Sequence, residues 1–115
     1  MEMTTKDELQ QVTSQCREMF VKKTQDYGAS WRIMRPKSIT DQIYIKANRI
    51  RTLEETGESF VGEGIIPEFI GIVNYGIMGL IQLKFGYAND VDMDNDKVIE
   101  LYDSYICKTL ELLDK

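Results

Sequence analysis

A near-continuous apolar run from Ile65 to Phe85, IIPEFIGIVNYGIMGLIQLKF, constrains this chain more than any other stretch. Its polar interruptions are Glu68, Asn74, Gln82 and Lys84. Pro67 suits a first helical turn, where no N–H is needed, and Gly86 suits a left-handed stop, so the run predicts one helix over 67–85. That length matches a bilayer span. Against a span, Glu68 and Asn74 fall inside it, no basic flank marks one end, and Gly71, Gly76 and Gly79 thin its surface. A helix apolar on every side is usually the central helix of a soluble bundle, and the chain reads that way, with no membrane partner. The glycines then let neighbouring helices come close, at a cost of roughly 1 kcal/mol each in helix propensity. A buried Glu68 or Asn74 must in turn find a partner.

The rest of the chain supplies helices to surround it. Thr5, with Glu8 three residues on, has the form of a capping box. Leu9, Val12, Cys16, Met19, Phe20 and Lys23 then recur at helical spacing, to about residue 25. Asp26-Tyr27-Gly28 closes this helix, with Gly28 as its left-handed residue. Residues 29 to 36 are too rich in large side chains for a passive loop. Trp31, the only tryptophan, is open to two roles: a core plug between helices, or a platform for a flat ring. A second helix begins at Ser38, three residues before Asp41, and buries Ile39, Ile43, Ala47, Ile50 and Leu53. Gln42, Lys46 and Arg49 line one of its edges, and two cations stacked there suit a phosphate, Arg as a fork and Lys as a point charge. The glycine-rich connection over 57–65 reads as a mobile cover for a site. The last helix runs from about Asp94 to the end, with Val98, Leu101, Tyr102, Tyr105, Ile106, Leu110 and Leu113 inward. Asp90, Asp92 and Asp94 imitate a calcium loop, but Asn95 and Leu101 stand where glycine and the bidentate Glu are needed, so these acids read as helix caps. The expectation is a single all-α domain over 1–115, a bundle of about four helices around the central one.

Charge and composition narrow the function. Hydrophobic content of 43% excludes disorder. With no histidine, imidazole catalysis and the common zinc sites are excluded. Cys16 and Cys107 lie far apart in helical patterns and read as two buried thiols in a reducing cytosol. The polar, acidic N-terminus has no signal-peptide character, which points to a cytoplasmic protein. A net charge of −5 argues against a nucleic-acid partner, yet residues 17 to 51 hold nine of the 14 basic side chains and only three acids. A cationic stretch in an acidic chain suits a small anionic ligand, or else a set of solvated helix faces.

Three motifs together carry a family resemblance: Lys23-Thr-Gln-Asp26-Tyr27-Gly28-Ala-Ser-Trp31, Ile45-Lys46-Ala-Asn-Arg49-Ile50 and Ile72-Val-Asn74-Tyr75-Gly-Ile-Met78. Over residues 5 to 85 the chain resembles the bacterial and phage family called nucleotide modification associated domain 1, which is similar to the MazG-type all-α nucleoside triphosphate pyrophosphohydrolases. The resemblance implies a role in nucleotide metabolism and matches the family at Lys23, Asp26, Tyr27, Lys46, Arg49 and Asn74. It departs from the MazG pattern at the metal site. Those enzymes hold magnesium with paired carboxylates on facing helices, whereas Glu68-Phe-Ile-Gly71 lacks the second acid and the second helix offers only Asp41. Some relatives repeat the Asp-Tyr-Gly…Trp unit. Glu8-Leu9, Phe20-Val21 and Lys23 are echoed by Glu100-Leu101, Leu112-Leu113 and Lys115, so the helix over 94–115 reads as the opening of a second, missing repeat.

The functional expectation is a MazG-like domain that binds a nucleotide and hydrolyses its phosphoanhydride with magnesium. Lys23, Lys46 and Arg49 would neutralise phosphates, Tyr27 or Trp31 would stack on the base, and Asn74 would complete the ligand site. Asp26 and Glu68 would hold the metal or a water. The rival is a non-catalytic helical module for binding or oligomerisation, in which Glu68 merely caps a helix and Asn74 satisfies a buried group. Since three helices in so short a chain leave part of an all-apolar helix bare, a homo-oligomer is expected.

Overall fold

The computed structural model describes residues 4–57 and 64–113. Its order is α1 (Thr5–Tyr27), a 3₁₀ turn (Ser30–Ile33), α2 (Pro36–Thr56), α3 (Ile66–Phe85) and α4 (Asn95–Leu113). The all-α bundle is as expected, and the helix boundaries follow from local chemistry. The capping box lies one residue earlier than Thr5 and Glu8: the Asp7 N–H donates to Thr4 Oγ1 and the Thr4 N–H to Asp7 Oδ2, both at 3.2 Å. Thr4-x-x-Asp7 has the same form as Thr5-x-x-Glu8, and the earlier pair adds one residue to the helix. Gly28 ends α1 at φ 68°. Helix α2 starts at Pro36 rather than Ser38, because the extended Arg35 and the fixed φ of Pro36 preset the first turn. Asp94 caps α4, its Oδ1 accepting from the Lys97 N–H at 2.8 Å, as read for this acidic loop.

Every other helix packs on α3, with α2 making the broadest interface. Two of the three helix glycines serve that approach. A Cβ at Gly79 would stand 3.5 Å from Ile39, and one at Gly71 would stand 2.6 Å from Cδ and Cε of Lys46. Gly76 faces open space. On the other side of α3, Phe20, Ala29, Trp31, Ile77, Ile81, Val98 and Tyr102 form the core. The rings of Phe20 and Tyr102 stack at 4.2 Å.

Polar groups tie this core together. Asn74 Nδ2 donates to the Cys16 carbonyl at 3.0 Å, and the Tyr102 hydroxyl donates to Asn74 Oδ1 at 2.7 Å. Burial pushes the Tyr102 phenol above its ordinary pKa, which keeps it a donor. The Gln82 amide donates to the carbonyls of Trp31, Arg32 and Met34. Arg32, 2% exposed, donates to Gln82 Oε1, to the Gly86 carbonyl at 2.7 Å and to both Asp92 oxygens at 3.0 and 3.1 Å.

Several burial expectations need correction. Val12, Ala47 and Leu113 are exposed, because the bundle is narrower than their spacing supposes and its outer turns have no helix above them. Cys107 is exposed on the outer side of α4, so only Cys16 is a buried thiol. Although α3 is central, only Asn74, Ile77, Ile81 and Gln82 of it are buried, since among the described residues one face has no helix on it. Of the connection read as a mobile cover, residues 58–63 lie outside the described residues.

Candidate functional site

Helical spacing sends several polar side chains toward one hollow. Lys23 and Tyr27 are four apart on α1 and follow Phe20 and Thr24 along its inner edge. Lys46 and Arg49 are three apart on α2. Glu68, Gly71, Asn74, Tyr75 and Met78 descend one side of α3. Together with Met19, Trp31 and Met34 these residues line a cavity of about 640 Å³. The cavity gathers seven of the eight residues singled out from sequence: Lys23, Tyr27, Trp31, Lys46, Arg49, Glu68 and Asn74. Asp26 is outside the lining, exposed at the end of α1 on a different side from Lys23 and Tyr27. Gln42, the first member of the α2 edge row, is outside it too.

The electrostatics centre on Glu68. Its Oε2 lies 3.7 Å from Lys46 Nζ and its Oε1 lies 3.8 Å from Arg49 NH1, close enough to pair as ions and too far to hydrogen-bond. Oε2 is buried and has no hydrogen-bond partner among the described residues. The Lys46 stem crosses Gly71, and its ammonium sits 5.9 Å from the centre of the Tyr75 ring. Among the described residues, three cations, Lys23, Lys46 and Arg49, thus share the cavity with one carboxylate. The rest of the wall is aromatic and methionine-rich. Trp31, 7% exposed, packs in the core as a plug between helices and also lines the cavity; its buried indole N–H has no acceptor among the described residues. A second hollow of about 470 Å³, lined by Ile45, Asn48, Thr52, Leu53 and Gly64, shares Arg49 and Glu68 with the first.

Asn74 reaches the cavity wall with its amide already engaged by Cys16 and Tyr102, so in this arrangement it joins α1, α3 and α4 behind the site. Sequence reasoning missed Met19, Met34, Tyr75 and Met78 as lining. Tyr75 was within reach of it, since it stands seven residues after Glu68 and four after Gly71 on the same helix side. It also missed Gln82 and Arg32, which hold the backbone of the 3₁₀ turn that carries Trp31.

A resident magnesium ion would need more oxygen donors than these walls supply. Among the described residues no three Asp, Glu, Cys or His side chains come together. Glu68 faces two cations and Asp26 lies elsewhere, so this donor set does not fit a protein-held magnesium site.

Residues 23–83, more than half the chain and the stretch that contributes most of the cavity lining, match the family model described as nucleotide modification associated domain 1. The chain belongs to that family. The description associates the family with nucleotides and names no reaction. No curated protein and no solved structure matches the chain.

Proposed function

We propose that the cavity between α1, the 3₁₀ turn, α2 and α3 binds a nucleotide. The observation that supports this most is the convergence of Lys23, Lys46 and Arg49, around a single carboxylate, with the rings of Tyr27, Trp31 and Tyr75. Cations suit phosphates, and aromatic, methionine-lined walls suit a base. The family description points the same way. Magnesium-dependent pyrophosphate hydrolysis of the MazG kind is the finer reading, and it asks for paired acids that the described cavity lacks. Binding is therefore the function put forward.

The test is calorimetry with ribo- and deoxynucleoside mono-, di- and triphosphates, with and without magnesium. Affinity should rise with phosphate number. Lys46→Met should weaken the triphosphate roughly tenfold, about 1.4 kcal/mol. No binding of any nucleotide at millimolar concentration would overturn the proposal.

A further inference from the structure

The face of α3 turned away from the core has an order of its own. Ile66, Phe69, Val73, Gly76, Leu80 and Leu83 follow each other at spacings of three, four, three, four and three residues. This is the a/d repeat of a helix that packs lengthwise on another helix. The five side chains are between 38% and 71% exposed, and a Cβ at Gly76 would meet nothing within 4 Å. Among the described residues no element packs across the stripe, and no ionisable residue interrupts it.

The order is also palindromic. Reversed about its midpoint, Ile66 meets Leu83, Phe69 meets Leu80 and Val73 meets Gly76. These are the a-to-d layers of an antiparallel helix pair, and the centre sets a branched side chain over a glycine. Among the described residues that glycine admits no neighbouring element. Gly71 and Gly79 each admit a side chain of α2, whereas Gly76 weakens the helix and packs against nothing. From these observations we infer that α3 is the seam of a two-fold homodimer, pairing antiparallel with α3 of a second copy and crossing it between Val73 and Gly76.

The areas agree. The stripe exposes on the order of 500 Å² of apolar side chain, more than half of the ~800 Å² each partner gives to a standard interface. A bilayer is a poorer occupant. Lipid selects no heptad order, and the inner side of the same helix holds Asn74 and Gln82 in hydrogen bonds to the rest of the protein. The inference stands apart from the nucleotide proposal, and neither rests on the other.

The test uses the full chain. Light scattering at tens of micromolar should give twice the 13.3 kDa chain mass, and Leu80→Glu should return a helical monomer. Cross-linking then reads the direction. In a Cys107→Ser background, an equal mixture of Phe69→Cys and Leu80→Cys chains should oxidise chiefly to the mixed dimer. Self-linked Phe69→Cys dimers in excess would mean a parallel pair and overturn the inference. So would a monomeric unmodified chain, or a chain that sediments with phosphatidylcholine–phosphatidylglycerol vesicles as a monomer.

Discussion

Gln82 carries more of this fold than its place in an apolar run suggests. One buried amide serves the three carbonyls of Trp31, Arg32 and Met34 and accepts from the Arg32 guanidinium, so it stitches α3 to the wall of the cavity. The Trp31 and Arg32 carbonyls also accept from the Met34 and Ala88 N–H groups, so Gln82→Leu takes the side-chain donor from the Met34 carbonyl and an acceptor from the buried Arg32 guanidinium, at about 1–3 kcal/mol. That loss should appear as a fall of several degrees in Tm, while Gln42→Leu, outside the cavity, leaves Tm nearly unchanged. Arg32 adds a pH dependence. Its hydrogen bonds hold the Asp92 carboxyl below its ordinary pKa. A depressed carboxyl stabilises the fold above its unfolded value, near 3.9, and that contribution fades as pH falls through the folded value. Denaturant titrations should show Asp92→Asn less stable than the parent at pH 6, with the gap closing below about pH 4.

At the scale of elements, α2 and α3 approach where glycine permits it, and Gly71 decides how Lys46 enters the cavity. A methyl group there collides with the far end of a flexible lysine side chain rather than with backbone. Gly71→Ala should therefore cost little stability, since roughly 1 kcal/mol of helix propensity is gained. The displaced ammonium should weaken triphosphate binding several-fold. Calorimetry beside a melting curve separates the two effects, and a large Tm loss with unchanged binding would count against this placement of Lys46. These elements were legible in the sequence because apolar spacing and the turn residues Gly28, Gly57 and Gly86 mark helices directly, although the start of α2 at Pro36 was placed two residues late. Part of the site was legible for the same reason: residues three or four apart on a helix share a side, so Lys46 and Arg49 were placed together before any packing was known, whereas Lys23, Tyr27 and Asn74 came from the family resemblance. What the sequence hid was tertiary. Asp26 matches the same motif as Tyr27 yet faces solvent, because one position along a helix turns a side chain by about 100°. Gln82 and Arg32 find each other across 50 residues, and nothing local announces such a pair.

At the scale of the whole molecule, the charge of the chain and the charge of its cavity have opposite signs. The chain carries −5, while Lys23, Lys46 and Arg49 outweigh Glu68 within the hollow. Glu68 is then the residue through which the molecule restrains its own anion site, since it lies between 3.7 and 3.8 Å from two of the three cations. It also occupies the first turn of α3, where the helix dipole favours a carboxylate by ~0.3–1 kcal/mol. Glu68→Gln should thus lower stability modestly through the dipole and the lost pairing. In the same variant Lys46 and Arg49 lose their shared counterion, and a phosphate group entering the cavity no longer meets a negative charge. Triphosphate affinity should rise, with a steeper dependence on salt, because more of the binding energy then comes from charges that the solvent can screen. A carboxylate that held a magnesium ion for catalysis would behave in the opposite way: magnesium-dependent affinity would fall at least about tenfold on its removal, about 1.4 kcal/mol. Titrating the parent and the Glu68→Gln chain with a nucleoside triphosphate, at low and high salt and with and without magnesium, tells the two apart by the sign of a single change. Weaker binding in the variant, seen only when magnesium is present, would return Glu68 to the metal-holding role.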